Sequence, residues 1–245
     1  VRLEGRTALV TGGAGGIGRG ICARLAAEGA RVVVADLDAT AVDAVVGTTD
    51  GDLHPAALDV TDPASRRDVA ARCAALGGVD VLVNCAGVLR DARIGRLDPA
   101  VFRRLLEINL IGPLALTRLL AGPLAERGRG SVVHVTSRAW LGTFGSSAYS
   151  TAKGGLVGAT RSLALELGPA GVTVNAVAPG FVETPMTDDL PPEVRRRTLD
   201  AIPVGRAGRP EDVAGTVAHL ADAPYVTGQV LVVCGGRSIG DPYAA

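Results

Sequence analysis

Thr7-Ala8-Leu9-Val10-Thr11-Gly12-Gly13-Ala14-Gly15-Gly16-Ile17-Gly18 reads as an apolar strand that breaks into a glycine-rich turn and continues as a helix. Gly12, Gly16 and Gly18 carry no Cβ, so they permit a tight turn and let backbone N–H groups come close to a pyrophosphate. The positive end of the helix dipole favours the same charge. Glycine also serves ordinary turns and caps, so this stretch takes its meaning from context. It follows a strand, opens a helix and is followed by an acid, Asp36, at the end of the next apolar run.

Outward from that turn, short β-branched runs alternate with longer stretches of helical period. Strands are expected at residues 7–11, 31–36, 53–58, 79–84, 131–136, 173–178 and 230–233, with helices near 16–28, 38–46, 63–76, 99–125 and 147–167. Most of these strands are apolar on both faces, as a sheet covered on each side requires. The pattern predicts an α/β fold: a single-domain, Rossmann-like, doubly wound parallel sheet of about seven strands with helices on both faces. Residues 180–208, rich in Pro, Asp and Arg, break the rhythm and are read as a substrate lid. Residues 1–245 otherwise form one dinucleotide-binding domain, without a linker, repeat or second core.

Composition narrows the class of partner. A formal charge of +0 provides no field for nucleic acid or for an anionic membrane surface, so neither is expected. Cys22, Cys73, Cys85 and Cys234 are far apart among apolar or small neighbours, which suits buried reduced thiols in a cytoplasmic protein. His54, His134 and His219 are isolated as well, so no metal is assigned. The first residues hold no basic patch leading into a long apolar run, and neither a signal peptide nor a membrane span is expected.

Asp36 closes the run Val32-Val33-Val34-Ala35, where a carboxylate can accept hydrogen bonds from both hydroxyls of an adenosine ribose. A 2′-phosphate there would meet like-charge repulsion. NAD(H) is therefore favoured over NADP(H), although Arg19 and Arg31 lie not far off in sequence. A solvated strand-end acid is the bland alternative.

Tyr149 and Lys153 stand four apart on an expected helix and so project from one face. A free tyrosine ionises near pH 10, and bringing it down by roughly two to three units takes about 3–4 kcal/mol. One cation about 4 Å away supplies up to about 4 kcal/mol at an effective dielectric near 20. Such a pair also occurs by chance on amphipathic helices. Ser137, closing the strand Val132-Val133-His134-Val135-Thr136, adds a hydroxyl able to bond a substrate oxygen.

Together these residues resemble the short-chain dehydrogenase/reductase family over essentially the whole chain. Thr11 to Gly18 matches its Thr-Gly-x-x-x-Gly-x-Gly motif, and Asn84-Cys85-Ala86-Gly87 stands one substitution from its Asn-Asn-Ala-Gly element. The resemblance implies a catalytic tetrad of Asn109, Ser137, Tyr149 and Lys153. Tyr149 would be the general acid/base, Ser137 would orient the reacting oxygen, and Lys153 would lower the Tyr149 pKa and hold the nicotinamide ribose. Asn109 would hold a water linking Lys153 to solvent. It further implies coenzyme contacts from Gly12, Gly15, Gly16, Ile17, Gly18, Asp36, Leu37, Asp59, Val60, Asn84, Ala86 and Gly87. Pro179, Gly180, Val182 and Thr184 would clasp the nicotinamide.

Residues 205–214 and 225–229 are most similar to the 3-oxoacyl-(acyl carrier protein) reductase branch. The expected activity is a ketone–alcohol oxidoreductase acting on a 3-oxoacyl thioester or polyketide-like carbonyl. A secondary alcohol or polyol dehydrogenase is the alternative, and a non-catalytic dinucleotide sensor a remoter one. Trp140, Phe144, Phe181, Met186 and Leu190 are candidates for an apolar substrate site. An acidic carrier-protein partner would want basic residues at the mouth, for which Arg127, Arg129 and Arg138 are available. Resemblance also suggests a homotetramer.

Overall fold

The computed structural model describes residues 2–188 and 191–240, apart from the side chains of Met186 and Asp188. The chain runs β1 (Thr7–Thr11), α1 (Gly16–Ala27), β2 (Arg31–Asp36), α2 (Ala39–Thr48), β3 (Leu53–Ala57), α3 (Pro63–Ala75), β4 (Val81–Asn84), α4 (Pro99–Leu106), α5 (Gly112–Glu126) and β5 (Gly130–Val135). It continues with α6 (Ser147–Leu167), β6 (Val172–Pro179), α7 (Pro185–Asp188), α8 (Pro192–Asp200), α9 (Pro210–Ala221) and β7 (Val230–Val233). All seven strands are parallel, in the order β3-β2-β1-β4-β5-β6-β7. This is the expected doubly wound sheet in one Rossmann-like domain.

Strand alternation sends the core to both faces. Ala8, Val10, Val32, Val34, Val81 and Val83 point to one side, where Ile21 and Leu25 of α1, Val42 and Val45 of α2, and Val213 and Val217 of α9 cover them. Leu9, Val33, Leu82 and Val132 point to the other, under Val69 of α3 and Leu116, Leu120 and Leu124 of α5. Each fully buried leucine contributes about 2 kcal/mol of apolar burial.

Two features depart from the sequence reading. The helix expected over 99–125 is one continuous 28-residue run, Pro99–Glu126, but a π-helical turn at Glu107–Ile111 interrupts it. Pro113 has no N–H to give the Asn109 carbonyl, and Gly112 donates instead to Glu107 O, five residues back. By length and composition this run could cross a membrane, yet Leu116, Leu120 and Leu124 pack on the sheet as core. The second departure is α9, which the sequence reading left undrawn. It lies along α1, where a Cβ on Gly20 would stand 2.7 Å from Pro210 Cβ.

Candidate active site

The strand order reverses between β1 and β4, and the crevice at their C-terminal ends is where an open α/β sheet binds ligands. Gly12 lies there with φ +66°, and a Cβ on it would stand 2.7 Å from Ala86 Cα. On Gly18 a Cβ would collide with the Gly12 carbonyl oxygen, and on Gly16 it would stand 2.6 Å from Thr184 Cγ2. Gly15 is different, with its nearest neighbour at 3.4 Å. Thr11 Oγ1 accepts the N–H groups of Cys85 and Ala86, both at 3.1 Å, and so locks the turn to the end of β4.

Helices α2, α3 and α4 begin under Asp38, Asp62 and Asp98, whose carboxylates accept first-turn N–H groups. At α1 the cap is Gly15, with no side-chain bond. Its first-turn donors, those of Gly16, Ile17 and Gly18, are left for an anion.

Asp36 is aimed at this turn. Its Oδ2 accepts Ala14 N–H at 3.1 Å and its Oδ1 accepts Leu37 N–H at 2.7 Å, and each oxygen keeps a lone pair. The Leu37 side chain beside it is 70% exposed. Arg31 sits at the far end of β2 and pairs with Asp52 at 2.9 Å. Arg19 faces a cavity of about 490 Å³ shared with Thr48, Asp50 and Glu211. Asp59 accepts Thr61 N–H at 2.8 Å and the Thr61 hydroxyl at 2.7 Å, bonds that hold its carboxyl below the usual range. The neighbouring Val60 is buried.

On the other side of the crevice the four expected catalytic positions meet. Ser137 follows β5; its Oγ accepts Ala139 N–H at 3.1 Å, and the same hydroxyl acts on the phenol of Tyr149, twelve residues on, to lower its pKa. Lys153 Nζ lies 5.5 Å from the Tyr149 ring centroid and donates to Val135 O at 3.0 Å. Asn109 is fully buried; it donates to Val88 O and Leu105 O, both at 3.0 Å, and accepts Val88 N–H at 3.2 Å. A Cβ on Gly87 would stand 2.6 Å from Asn109 Oδ1 and 3.4 Å from Lys153 Nζ, so only glycine lets this backbone pass.

The acidities run against one expectation. Burial pushes the Tyr149 phenol up to about 12, with the Ser137 bond pulling the other way. Burial also brings the Lys153 ammonium down to about 8, opposed by Cys85. Desolvation penalises the charged form of each partner, so burial opposes the lowering of the phenol that the spacing predicts. Only one of the three ammonium donors is engaged among the described residues, so the cation can gain further acceptors.

Behind the crevice Asn84 Nδ2 donates to Thr117 Oγ1 at 3.0 Å and stands 3.2 Å from Nδ1 of His134, a wholly buried imidazole. Burial, and next the charge of Lys153, bring the His134 pKa down to about 4. The sequence reading passed over both this trio and the Thr11 clamp. A histidine in an otherwise β-branched strand was the signal for the first.

The remaining positions divide. Gly180 donates to Val233 O at 2.8 Å, Val182 bridges to Gly208, and Thr184 rests on Gly16. This carries the segment after Pro179 across the crevice to the glycine turn. Trp140 is partly buried, and its Nε1 has no partner among the described residues. Phe144 is 84% exposed and stacks under Arg93 at 5.1 Å, so within this chain it is no pocket wall. Phe181 meets Arg195 of α8 at 5.9 Å. Met186 belongs to α7, its side chain outside the described residues, as is Leu190 altogether. Arg127 and Arg129 pair with Asp80 at 2.9 and 3.6 Å, at the N-terminal edge of the sheet and opposite the crevice. In this chain they form no basic rim to the site.

The arrangement fits a dinucleotide: a cradle that any Cβ would fill, uncapped helix donors, a carboxylate with lone pairs to spare and a buried cation with free N–H groups. The family model described as Enoyl-(Acyl carrier protein) reductase matches residues 12–238. The (2S)-[(R)-hydroxy(phenyl)methyl]succinyl-CoA dehydrogenase subunit BbsD of Thauera aromatica is 42% identical over 243 residues, covering 97% of this chain and 98% of that protein. The 3-oxoacyl-[acyl-carrier-protein] reductase FabG of Thermotoga maritima is 38% identical, covering 98% and 100%. Among solved structures, a putative gluconate dehydrogenase from Agrobacterium tumefaciens superposes with a TM-score of 0.90 at 33% identity, covering 96% of this chain and 97% of that one. The chain belongs to the short-chain dehydrogenase/reductase family, and with it to oxidoreductases that use a nicotinamide dinucleotide.

Proposed function

We propose that this protein interconverts a ketone and a secondary alcohol with NAD(H), and that its substrate is a 3-oxoacyl thioester or a related carbonyl compound. The hydride is the contribution of the dinucleotide; the proton is the contribution of Tyr149. Ser137 holds the reacting oxygen against the phenol. Lys153 keeps a positive charge beside the ring and offers its remaining donors to the ribose. Asn109 fixes the backbone at Gly87 and Val88 on which that end of the coenzyme rests.

One observation carries this reading: Lys153 Nζ lies 5.5 Å from the Tyr149 ring centroid, and the Ser137 hydroxyl acts on that phenol, across the crevice from the uncapped glycine turn. The preference for NAD(H) rests on Asp36, with Arg31 engaged elsewhere. Residues 180–208, with α7 and α8, act as the substrate cover. The two relatives named for a 3-oxoacyl reductase and an acyl-CoA dehydrogenase support the substrate class. Exposed Leu119 of α5 and Leu165 of α6 support assembly through those helices, as a homotetramer.

Tyr149→Phe tests the assignment. It should leave dinucleotide binding, followed by nicotinamide fluorescence, near that of the unsubstituted protein, while turnover across a panel of ketones and alcohols falls by at least about a hundredfold. Equal turnover would remove Tyr149 from its role.

A further inference from the structure

Arg138 follows Ser137 directly, at the C-terminal end of β5. Arg237 lies in the turn after β7, and β6 runs between those two strands. This turn is pressed onto the segment that follows β6: a Cβ on Gly180 would stand 2.7 Å from Cys234 Cβ. Ile202 and Pro203, returning from α8, close over Gly235 and Gly236. Both arginines thus follow the C-terminal ends of sheet strands, Arg138 next to Ser137 and Arg237 on the far side of β6 under the proposed cover.

Among the described residues their charges are uncompensated. Arg6, Arg24, Arg31, Arg127, Arg195 and Arg206 each hold a carboxylate within 3.2 Å. Among the described residues neither Arg138 nor Arg237 has an acid within 4.0 Å, and neither guanidinium donates a hydrogen bond, though both are partly buried. They also feel each other. Burial first, and then the charge of Arg138, hold Arg237 below its usual acidity range. Cys234 reports the same field. Burial alone would raise its thiol, yet the hydroxyl and amide of Ser238, the amide of Gly236 and the charge of Arg138 together leave it below its usual value. Two neighbouring cations taken partly out of water cost free energy until an anion joins them, and two forked guanidinium groups match an oxyanion with two acceptor atoms.

We propose that Arg138 and Arg237 form a cradle for a free substrate carboxylate, so that the enzyme acts on ketones or alcohols that carry an unesterified acid group a few carbons from the reacting centre, whether or not another carboxyl is held as a thioester. The placement of Arg138 next to Ser137 sets that short separation. The proposal rests on the ketone–alcohol reading above, but its test separates the two.

Trp140, the chain's single tryptophan, shares the turn Arg138–Leu141 and reports locally. Succinate should change its fluorescence saturably and dimethyl succinate should not. Affinity for succinate should fall about tenfold or more in Arg138→Leu and in Arg237→Leu, with Arg237→Lys recovering part of it. In turnover, the ratio of kcat/KM for 4-oxopentanoate to that for its methyl ester should exceed ten and should collapse in the leucine variants. A merely structural role would lower both substrates together and leave the ratio unchanged. An unchanged ratio overturns the cradle, as does a succinate response equal to that of its ester or tighter binding of inorganic phosphate than of succinate. Turnover of the ester without any acid preference leaves the ketone–alcohol reading standing and removes the cradle. Succinate binding with no turnover of any ketone or alcohol does the reverse.

Discussion

Replacing Lys153 with methionine, which keeps the bulk and removes the charge, asks whether the ammonium acts on the phenol at all. At 5.5 Å from the ring centroid, a unit charge favours phenolate by about 3 kcal/mol at an effective dielectric near 20, or about two pKa units. The sign is fixed: a cation lowers the phenol pKa, so removing it raises the pKa. Burial already holds Tyr149 near 12 and Lys153 near 8, so the effect operates only while the lysine is protonated, below about pH 8. The assay is the pH–rate profile of alcohol oxidation at saturating dinucleotide, where Tyr149 must accept a proton. In Lys153→Met the rate near pH 7 should fall about a hundredfold, and the deficit should close above about pH 8, where the unsubstituted lysine is itself neutral. Dinucleotide affinity, measured separately by fluorescence, should fall as well. An unchanged rate below about pH 8, with affinity alone reduced, would leave Lys153 as a ribose ligand and refute the electrostatic argument.

Asp36→Ala should raise the preference for NADP(H) over NAD(H) by at least about tenfold in kcat/KM, since it removes both the ribose acceptor and the repulsion of a 2′-phosphate; unsubstituted protein that already prefers NADPH would contradict this. Gly18→Ala drives a methyl into the Gly12 carbonyl and should cost about 1–3 kcal/mol with loss of dinucleotide binding, whereas Gly15→Ala should melt within a degree or two of the unsubstituted protein. Thermal melts and fluorescence titration read both. The His134 pKa lies near 4 in the fold and near 6.5 unfolded, so the unfolded chain binds the extra proton between those values. Stability should drop as pH falls from 6.5 to 4, by up to about 3 kcal/mol. His134→Asn should flatten that part of a denaturant-derived stability curve, and an equally steep curve would place the proton elsewhere.

Strand positions were legible in the sequence because a sheet covered on both faces needs unbroken apolar runs, and 32–35 and 81–83 supply them. Ends were less so: β3 stops at Ala57 and β4 begins at Val81, since pairing with β2 and β1, not side-chain type, decides where a ladder closes. Helix α9 had a readable start in Arg209-Pro210-Glu211-Asp212, whose Asp212 carboxylate accepts Arg209 N–H at 2.7 Å. The π turn was half legible, in Gly112-Pro113, but its consequence depends on Val88 coming across to meet Asn109. Ser137, Tyr149 and Lys153 could be picked out because their spacing and strand-end position are sequence properties. Their acidities could not. Spacing places a cation near a phenol and predicts a lowered pKa, while burial, a sum over everything packed around the pair, pushes the phenol the other way. Arg237 escaped for the same reason: a lone arginine past the last strand looks solvated until β6 pairs with both β5 and β7 and brings it within the field of Arg138.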